Sequence, residues 1–268
     1  MPELPEVETT VRGLERVLKG RRIARVEMRR ADLRHAFPKD LGQRLTGATV
    51  TALGRRAKYG LIDTDRGDTM VFHLGMSGSW RIDHAKIEKH DHLVMETEEG
   101  RRLTLNDPRR FGLVDLVSTD ELANWPPIKA LGPEPFGLDP RELKRRLAGR
   151  TAAIKLLLGD QKIVAGLGNI YVCEALYRAG IHPRRAGGSL SLERLRRLVV
   201  AIEEVLREAI EAGGSTLKDF ISPDGELGYF SKTFAVYDRE GRPCACGRTV
   251  KRIVQGGRST FYCPRCQH

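Results

Sequence analysis

The chain reads as an α+β protein: a leading helix, an N-terminal β-sandwich, a helical domain and a C-terminal hairpin. Three observations predict this. Short apolar segments divided by turn residues fill positions 22–118, and apolar residues recur at helical spacing through 139–210. Four of the five cysteines then fall in the last 25 residues, as Cys244, Cys246, Cys263 and Cys266.

The elements follow in order. Leu4, Val7, Val11, Leu14 and Leu18 share one face of a helix that ends near Gly20. Glu3, Glu6 and Glu8 crowd its start, where the helix dipole favours carboxylates. Segments 22–28, 60–64, 69–74, 92–96 and 113–117 read as strands, divided by turns such as Asp65-Arg66-Gly67-Asp68. They predict a sandwich or flattened barrel, antiparallel for the most part. Trp125-Pro126-Pro127 and Leu131-Gly132-Pro133-Glu134-Pro135 predict a stiff linker. Asp139-Pro140 caps and opens a helix that stops before Gly149. Helices are expected at 151–158 and 169–179. A longer one carries Leu192, Leu195, Val199, Ile202, Leu206 and Ile210 on one face and ends at Gly213-Gly214. A loop rich in Gly, Ser and Asp follows at 222–228, and the tail from Tyr237 reads as a hairpin module. These signals divide the chain into 1–130, 131–236 and 237–268.

Composition bounds the function. The chain is 40% hydrophobic and 30% charged, which is the balance of a soluble globular protein. It carries no apolar run of membrane-span length and no secretory signal, so the cytosol is the expected location. A net charge of +11 points to a polyanionic partner, although basic surfaces are common and charge alone leaves nucleic acid undecided.

Several motifs carry chemistry. The opening, Met1-Pro2-Glu3-Leu4-Pro5-Glu6-Val7-Glu8, makes Pro2 the terminus once Met1 is trimmed. A secondary α-amine titrates about two to three units below a lysine amine and can attack an electrophilic sugar carbon. Pro and Glu in a first helical turn are equally ordinary helix-start residues.

The tail is more specific. Cys244-Ala245-Cys246 and Cys263-Pro264-Arg265-Cys266 supply two thiolate pairs that two hairpin tips can bring around one tetrahedral Zn2+. The one-residue spacer narrows the first knuckle, and His268 is a weaker substitute ligand. The tail from Tyr237 carries seven Lys or Arg against two acids, and Gly256-Gly257-Arg258 offers a phosphate grip. Cys173, alone in a helical pattern, reads as a small core residue.

Gly166-Leu167-Gly168-Asn169, just before a helix, suits either phosphate binding or close helix packing. Asn106-Asp107-Pro108-Arg109-Arg110-Phe111-Gly112 offers guanidiniums for base edges and an aromatic wedge, or merely an arginine-rich turn with a core phenylalanine. Met76, in His73-Leu74-Gly75-Met76-Ser77-Gly78, reads as core or as an exposed probe. Arg55-Arg56-Ala57-Lys58-Tyr59-Gly60 reads as a basic turn before a strand.

Nine blocks in one order resolve these readings: 2–8, 55–59, 73–78, 89–92, 107–112, 131–135, 166–183, 213–220 and 257–266. Through them the chain resembles the bacterial formamidopyrimidine-DNA glycosylases along nearly its full length. The resemblance implies an N-terminal β-sandwich, a helix–two-turns–helix domain and a structural zinc finger, with DNA between the domains. It implies a bifunctional enzyme that excises 8-oxoguanine and formamidopyrimidines and then nicks the strand by β- and δ-elimination. Its partner would be double-stranded DNA bearing an oxidised purine, met by a monomer in the bacterial cytosol or nucleoid.

The resemblance also implies roles. Pro2 would attack C1′ and leave an iminium, and Glu3 would protonate the sugar oxygen. Lys58 would act near the lesion, and Arg258 would grip the flanking phosphate. His90, Arg109, Arg150 and Asn169 align with DNA contacts. Met76, Arg109 and Phe111 match the trio that fills the gap left by the extruded nucleotide, and the loop from Lys218 to Gly228 would cover the flipped base. The Cys244–Cys246 spacer is one residue shorter than the family pattern. Rival readings are an endonuclease VIII-type enzyme for oxidised pyrimidines and a non-catalytic zinc-ribbon DNA binder. Pro2, Glu3 and Lys58 together speak against the binder.

Overall fold

The structure is a computed structural model that describes residues 2–215, 222, 223, 225 and 228–268. Two compact units form. One holds Met1–Lys129 and Ala212–Tyr229, the other Ala130–Glu211 and Phe230–His268.

The first unit opens with α1 (Leu4–Leu18), whose apolar stripe packs on two four-stranded antiparallel sheets. One sheet uses β1 (Ile23–Met28), β5 (Ser79–Ile82), β6 (Asp91–Thr97) and β7 (Arg102–Asn106), in the order β1-β6-β7-β5. The other uses β2 (Val50–Arg56), β3 (Tyr59–Thr64), β4 (Asp68–His73) and β8 (Leu113–Ser118), in the order β2-β3-β4-β8. Between them lies a core of Leu14, Leu18, Met70, Phe72, Trp80, Leu93 and Leu105. Phe72 and Trp80 meet edge to face, 5.5 Å between centroids. Gly60 makes room for that ring, because a Cβ there would lie 2.1 Å from Phe72 Cζ.

The predicted sandwich is present, and its strands are more numerous than the periodicity suggested. β2, β5, β7 and the short helix α2 (Leu41–Leu45) had no clear signal. β2 buries only Val50 fully, so it lacks an alternating face. The stiff linker at 125–127 is instead helical. A 3-10 turn (Thr119–Asn124) leads into α3 (Pro126–Lys129), where the prolines occupy helix-start positions that need no N–H donor.

The second unit contains α4 (Pro140–Leu147), α5 (Ile154–Leu158), α6 (Asn169–Arg178) and α7 (Leu192–Glu211). The Asp139 carboxylate accepts from Arg141 N at 2.8 Å, the cap expected from sequence. α5 starts three residues later than predicted, because Ala153 pairs with Ala186 in an extended bridge. β9 (Lys251–Gln255) and β10 (Arg258–Tyr262) form the expected hairpin.

These units do not follow the linear division 1–130, 131–236 and 237–268. Cys173, Val236, Val250, Phe261 and Cys263 share one apolar cluster, which joins hairpin and helices in a single unit. After α7, Ser215 pairs with Tyr229, and Pro223 meets the sandwich, where Ile82 N donates to Pro223 O at 3.1 Å. No helix among the described residues is long and apolar enough to cross a membrane.

Candidate active site and nucleic-acid interface

The chain start is held by backbone and carboxylate together. Pro2 is buried immediately ahead of α1. Glu3 is 2% exposed and occupies the N-cap of a capping box with Glu6. Glu3 N donates to Glu6 Oε2 at 2.8 Å, and Ser215 N donates to Glu6 Oε1 at 2.7 Å. One carboxylate therefore ties the helix start to Ser215. The sequence reading placed Glu6 only in the helix dipole. The spacing Glu3-x-x-Glu6 was the available sign of the box.

Lys58 is brought to the same helix by a strap. Ala57 and Lys58 form the turn between β2 and β3, with Arg56 paired to Tyr59 and Ala57 at φ 53°. Arg55 donates through Nε to Glu8 Oε2 at 3.0 Å and through Nη1 to the Ala57 carbonyl at 2.9 Å. Burial works to raise the Glu8 pKa, but bonds from Arg12 and Arg55 outweigh it and hold the carboxyl below its usual range. Lys58 itself is 7% exposed.

His73 lies beside this turn, and sequence reasoning had given it no role. Burial, then the charges of Lys58 and Arg34, push its pKa down to about 4. The neutral ring accepts from Gly75 N at 3.0 Å and lies 5.0 Å from the Tyr59 ring.

Met76, Arg109 and Phe111 sit on two fastened turns. Met76 is half-buried, Arg109 is exposed and Phe111 is 47% exposed. The Arg109 guanidinium lies 4.9 Å from the Phe111 ring centroid. The His90 carbonyl accepts from Asp107 N at 2.9 Å, which places His90 against the same turn. Ser77 and Arg109 also border a cleft of about 710 Å³, with Ser222, Pro223 and Gly225 on its wall. Of the loop expected to cover a flipped base, only these three residues and Gly228 are described, and Lys218 lies outside the described residues.

In the second unit, Asn169 and Arg258 line one cavity of about 220 Å³ with Lys155, Gly168, Gln255 and Gly256. Gly168 is the N-cap of α6, so the cavity meets the positive end of a ten-residue helix. Asn169 Nδ2 donates to Ser259 O at 2.8 Å, and its Oδ1 is buried without a partner among the described residues. Gln161 laces the approach loop. It receives Gly166 N at 2.9 Å and donates to Leu167 O at 2.8 Å. Two cations and a helix start make a seat for a phosphate. Lys155 was missed, although a lone cation in Ile-Lys-Leu-Leu-Leu was a readable sign. Arg150 lies outside this cavity, exposed after α4.

Comparison with known proteins supplies the family. The formamidopyrimidine-DNA glycosylase N-terminal domain model matches 1–114, and the H2TH domain model of the same glycosylase matches 131–221. A zinc finger found in FPG and IleRS matches 243–268. The formamidopyrimidine-DNA glycosylase of Novosphingobium aromaticivorans is 69% identical over 100% of both chains. The chain belongs to the formamidopyrimidine-DNA glycosylase family. Among solved structures of this family, a Lactococcus lactis FPG mutant in complex with a Fapy-dG containing DNA is 36% identical, covers 100% of both chains and has a TM-score of 0.92. Lactococcus lactis Fpg with an abasic site containing DNA has a TM-score of 0.91, again at 36% identity and 100% of both chains.

The family's zinc finger is fitted by this chain's own geometry. The four cysteine sulfurs lie within 4.8 Å of one another, with Cys244–Cys266 at 3.8 Å and Cys246–Cys263 at 3.5 Å. Four sulfurs around one zinc stand about 3.8 Å apart. The short spacer is accommodated by a tight knuckle: Cys244 N donates to Arg248 O and Gly247 N to Cys244 O, both at 2.8 Å, with Gly247 at φ 81°. Burial and the three neighbouring thiols push Cys266 up to about 12, and a dication relieves that repulsion. The Tyr177 hydroxyl lies 3.1 Å from Cys244 Sγ, a supporting contact around the ligand set. His268 is not in the cluster. Its backbone is docked through His268 N to Gly180 O at 3.1 Å.

Proposed function

We propose that Pro2, freed by removal of Met1, is the nucleophile of a base-excision repair glycosylase that removes oxidised purines from double-stranded DNA. Its nitrogen attacks C1′ of the damaged nucleotide as the base leaves, the N–H proton is lost, and cleavage of the C1′–O4′ bond, with its electrons going to the sugar oxygen, then gives an iminium. The positive nitrogen acidifies the neighbouring sugar hydrogens, and β- then δ-elimination opens the strand. Glu3 protonates the sugar oxygen as the ring opens. Lys58 acts beside the lesion. Arg258, Asn169 and Lys155 hold a backbone phosphate, while His90 and Arg150 add DNA contacts. Met76, Arg109 and Phe111 fill the vacated space, and filling it offsets part of the extrusion cost of a few kcal/mol. Cys244, Cys246, Cys263 and Cys266 would hold zinc, which would brace the hairpin that presents Arg258. The segments 1–130, 131–236 and 237–268 then serve catalysis, helical DNA binding and the finger. The enzyme acts as a monomer in the bacterial cytosol, at the nucleoid.

The observation that carries this reading is the joint placement of the chain start and Lys58. Glu6 fixes Glu3, and Glu8–Arg55 brings the Lys58 turn to the same helix. Borohydride reduction with an 8-oxoguanine duplex is expected to trap a covalent protein–DNA adduct through a processed Pro2, read by intact-mass and peptide mapping. Pro2→Gly is expected to bind the lesion duplex yet slow base removal and strand cleavage. An adduct mapped elsewhere, or unchanged turnover in that variant, would overturn the assignment.

A further inference from the structure

We propose that Asp107 and Ser77 form a clasp that sets Met76, Arg109 and Phe111 as one rigid wedge, making Asp107 a positioning residue for nucleotide extrusion. This rests on the void-filling role given above to those three side chains.

The clasp is built on a fully buried carboxylate, since Asp107 is 0% exposed. The Ser77 hydroxyl donates to Asp107 Oδ1 at 2.7 Å, and Gly112 N donates to Oδ2 at 2.8 Å. With its hydrogen so committed, Ser77 Oγ accepts from Arg109 N at 3.2 Å. Each wedge residue is therefore fixed at itself or at its neighbour: Met76 through Ser77, Arg109 directly, Phe111 through Gly112. Asp107 is pinned in turn, with its N–H donating to His90 O and its carbonyl 2.9 Å from His92 Nε2.

Two further observations show why a clasp is needed. Arg110, between the two wedge residues, has φ 58°, a conformation that a side chain other than glycine adopts reluctantly. Gly75 brings the two turns into backbone contact, because a Cβ there would lie 2.3 Å from the Phe111 carbonyl carbon. The two donors sit on two different side-chain oxygens, an arrangement that a carboxylate matches and a carboxamide, with one oxygen and one NH2, does not. An asparagine at 107 would aim an NH2 group at Ser77 or at Gly112 N.

The test compares Asp107→Asn, Ser77→Ala and Phe111→Ala with wild type. Stopped-flow fluorescence of 2-aminopurine beside an 8-oxoguanine in duplex DNA reads extrusion. Borohydride trapping on a single-stranded abasic oligonucleotide reads chemistry that needs no wedge. Asp107→Asn and Ser77→Ala are expected to slow the extrusion phase about tenfold, the effect of one lost buried hydrogen bond. Single-strand trapping should stay near wild type, and the double variant should be no slower than Asp107→Asn alone. If Asp107→Asn does not fold, Ser77→Ala, which removes one hydroxyl, carries the comparison. Wild-type extrusion in the clasp variants beside slow extrusion in Phe111→Ala overturns the clasp. Equal losses in both assays also overturn it, since that marks a general structural defect. Wild-type extrusion in Phe111→Ala overturns the wedge reading itself.

Discussion

At the scale of single residues, long-range partners decide what a side chain does. Glu6 receives a backbone N–H from a residue 209 positions away, and no local pattern announces that. Pro2, Glu3 and Lys58 were nameable as candidates because the proposed chemistry needs those residue types and the family blocks fix their order. His73 was not, because its protonation depends on burial beside Lys58 and Arg34. Its consequence for stability has a definite sign. The folded state keeps His73 neutral down to about pH 4, whereas an unfolded histidine titrates near 6.5. The associated stability is complete above about pH 6.5 and is lost as pH falls toward 4, by roughly 3 kcal/mol at most. Urea midpoints of wild type and His73→Asn across that window should diverge, with the variant falling less steeply. Parallel curves would rule out a buried neutral imidazole.

At the scale of elements, what was legible was what is locally encoded. The Asp139 cap, the Gly180 stop (φ 68°) and the apolar stripe of α7 are written within a few residues, and those helices stand where expected. β5 has only four residues, and β7 alternates little, so their pairing with each other was unreadable. The hairpin shows the same contrast. Its cysteines announced a metal centre, but only the fold shows Gln255 and Arg258 closing the turn beside Asn169 and Lys155. A phosphate seated there would release about one counterion through Arg258. Arg258→Ala is expected to weaken binding across all DNA sequences and to flatten the plot of log affinity against log salt by about 0.9. An unaltered slope, measured by anisotropy titration, would place that guanidinium off the backbone.

At the scale of the whole molecule, the net charge of +11 and the family models agree on a nucleic-acid enzyme, yet the chain's path was hidden. Linear reading assigns a segment to the neighbours it has in sequence. Here Ser215 and Pro223, which follow the last long helix in sequence, belong with the sandwich, through bonds to Glu6 and Ile82. The backbone consequently passes between the units three times, at 129–130, 211–212 and 229–230. A protease nick at the first passage should leave two fragments that co-elute on gel filtration in native buffer and separate in denaturant. A gene truncated after residue 129 should yield an unstable product, and restoring 212–229 through a short artificial connector should rescue it. The sandwich unit of this protein is thus not a contiguous stretch of its gene, and any attempt to transplant it must carry a piece encoded far downstream.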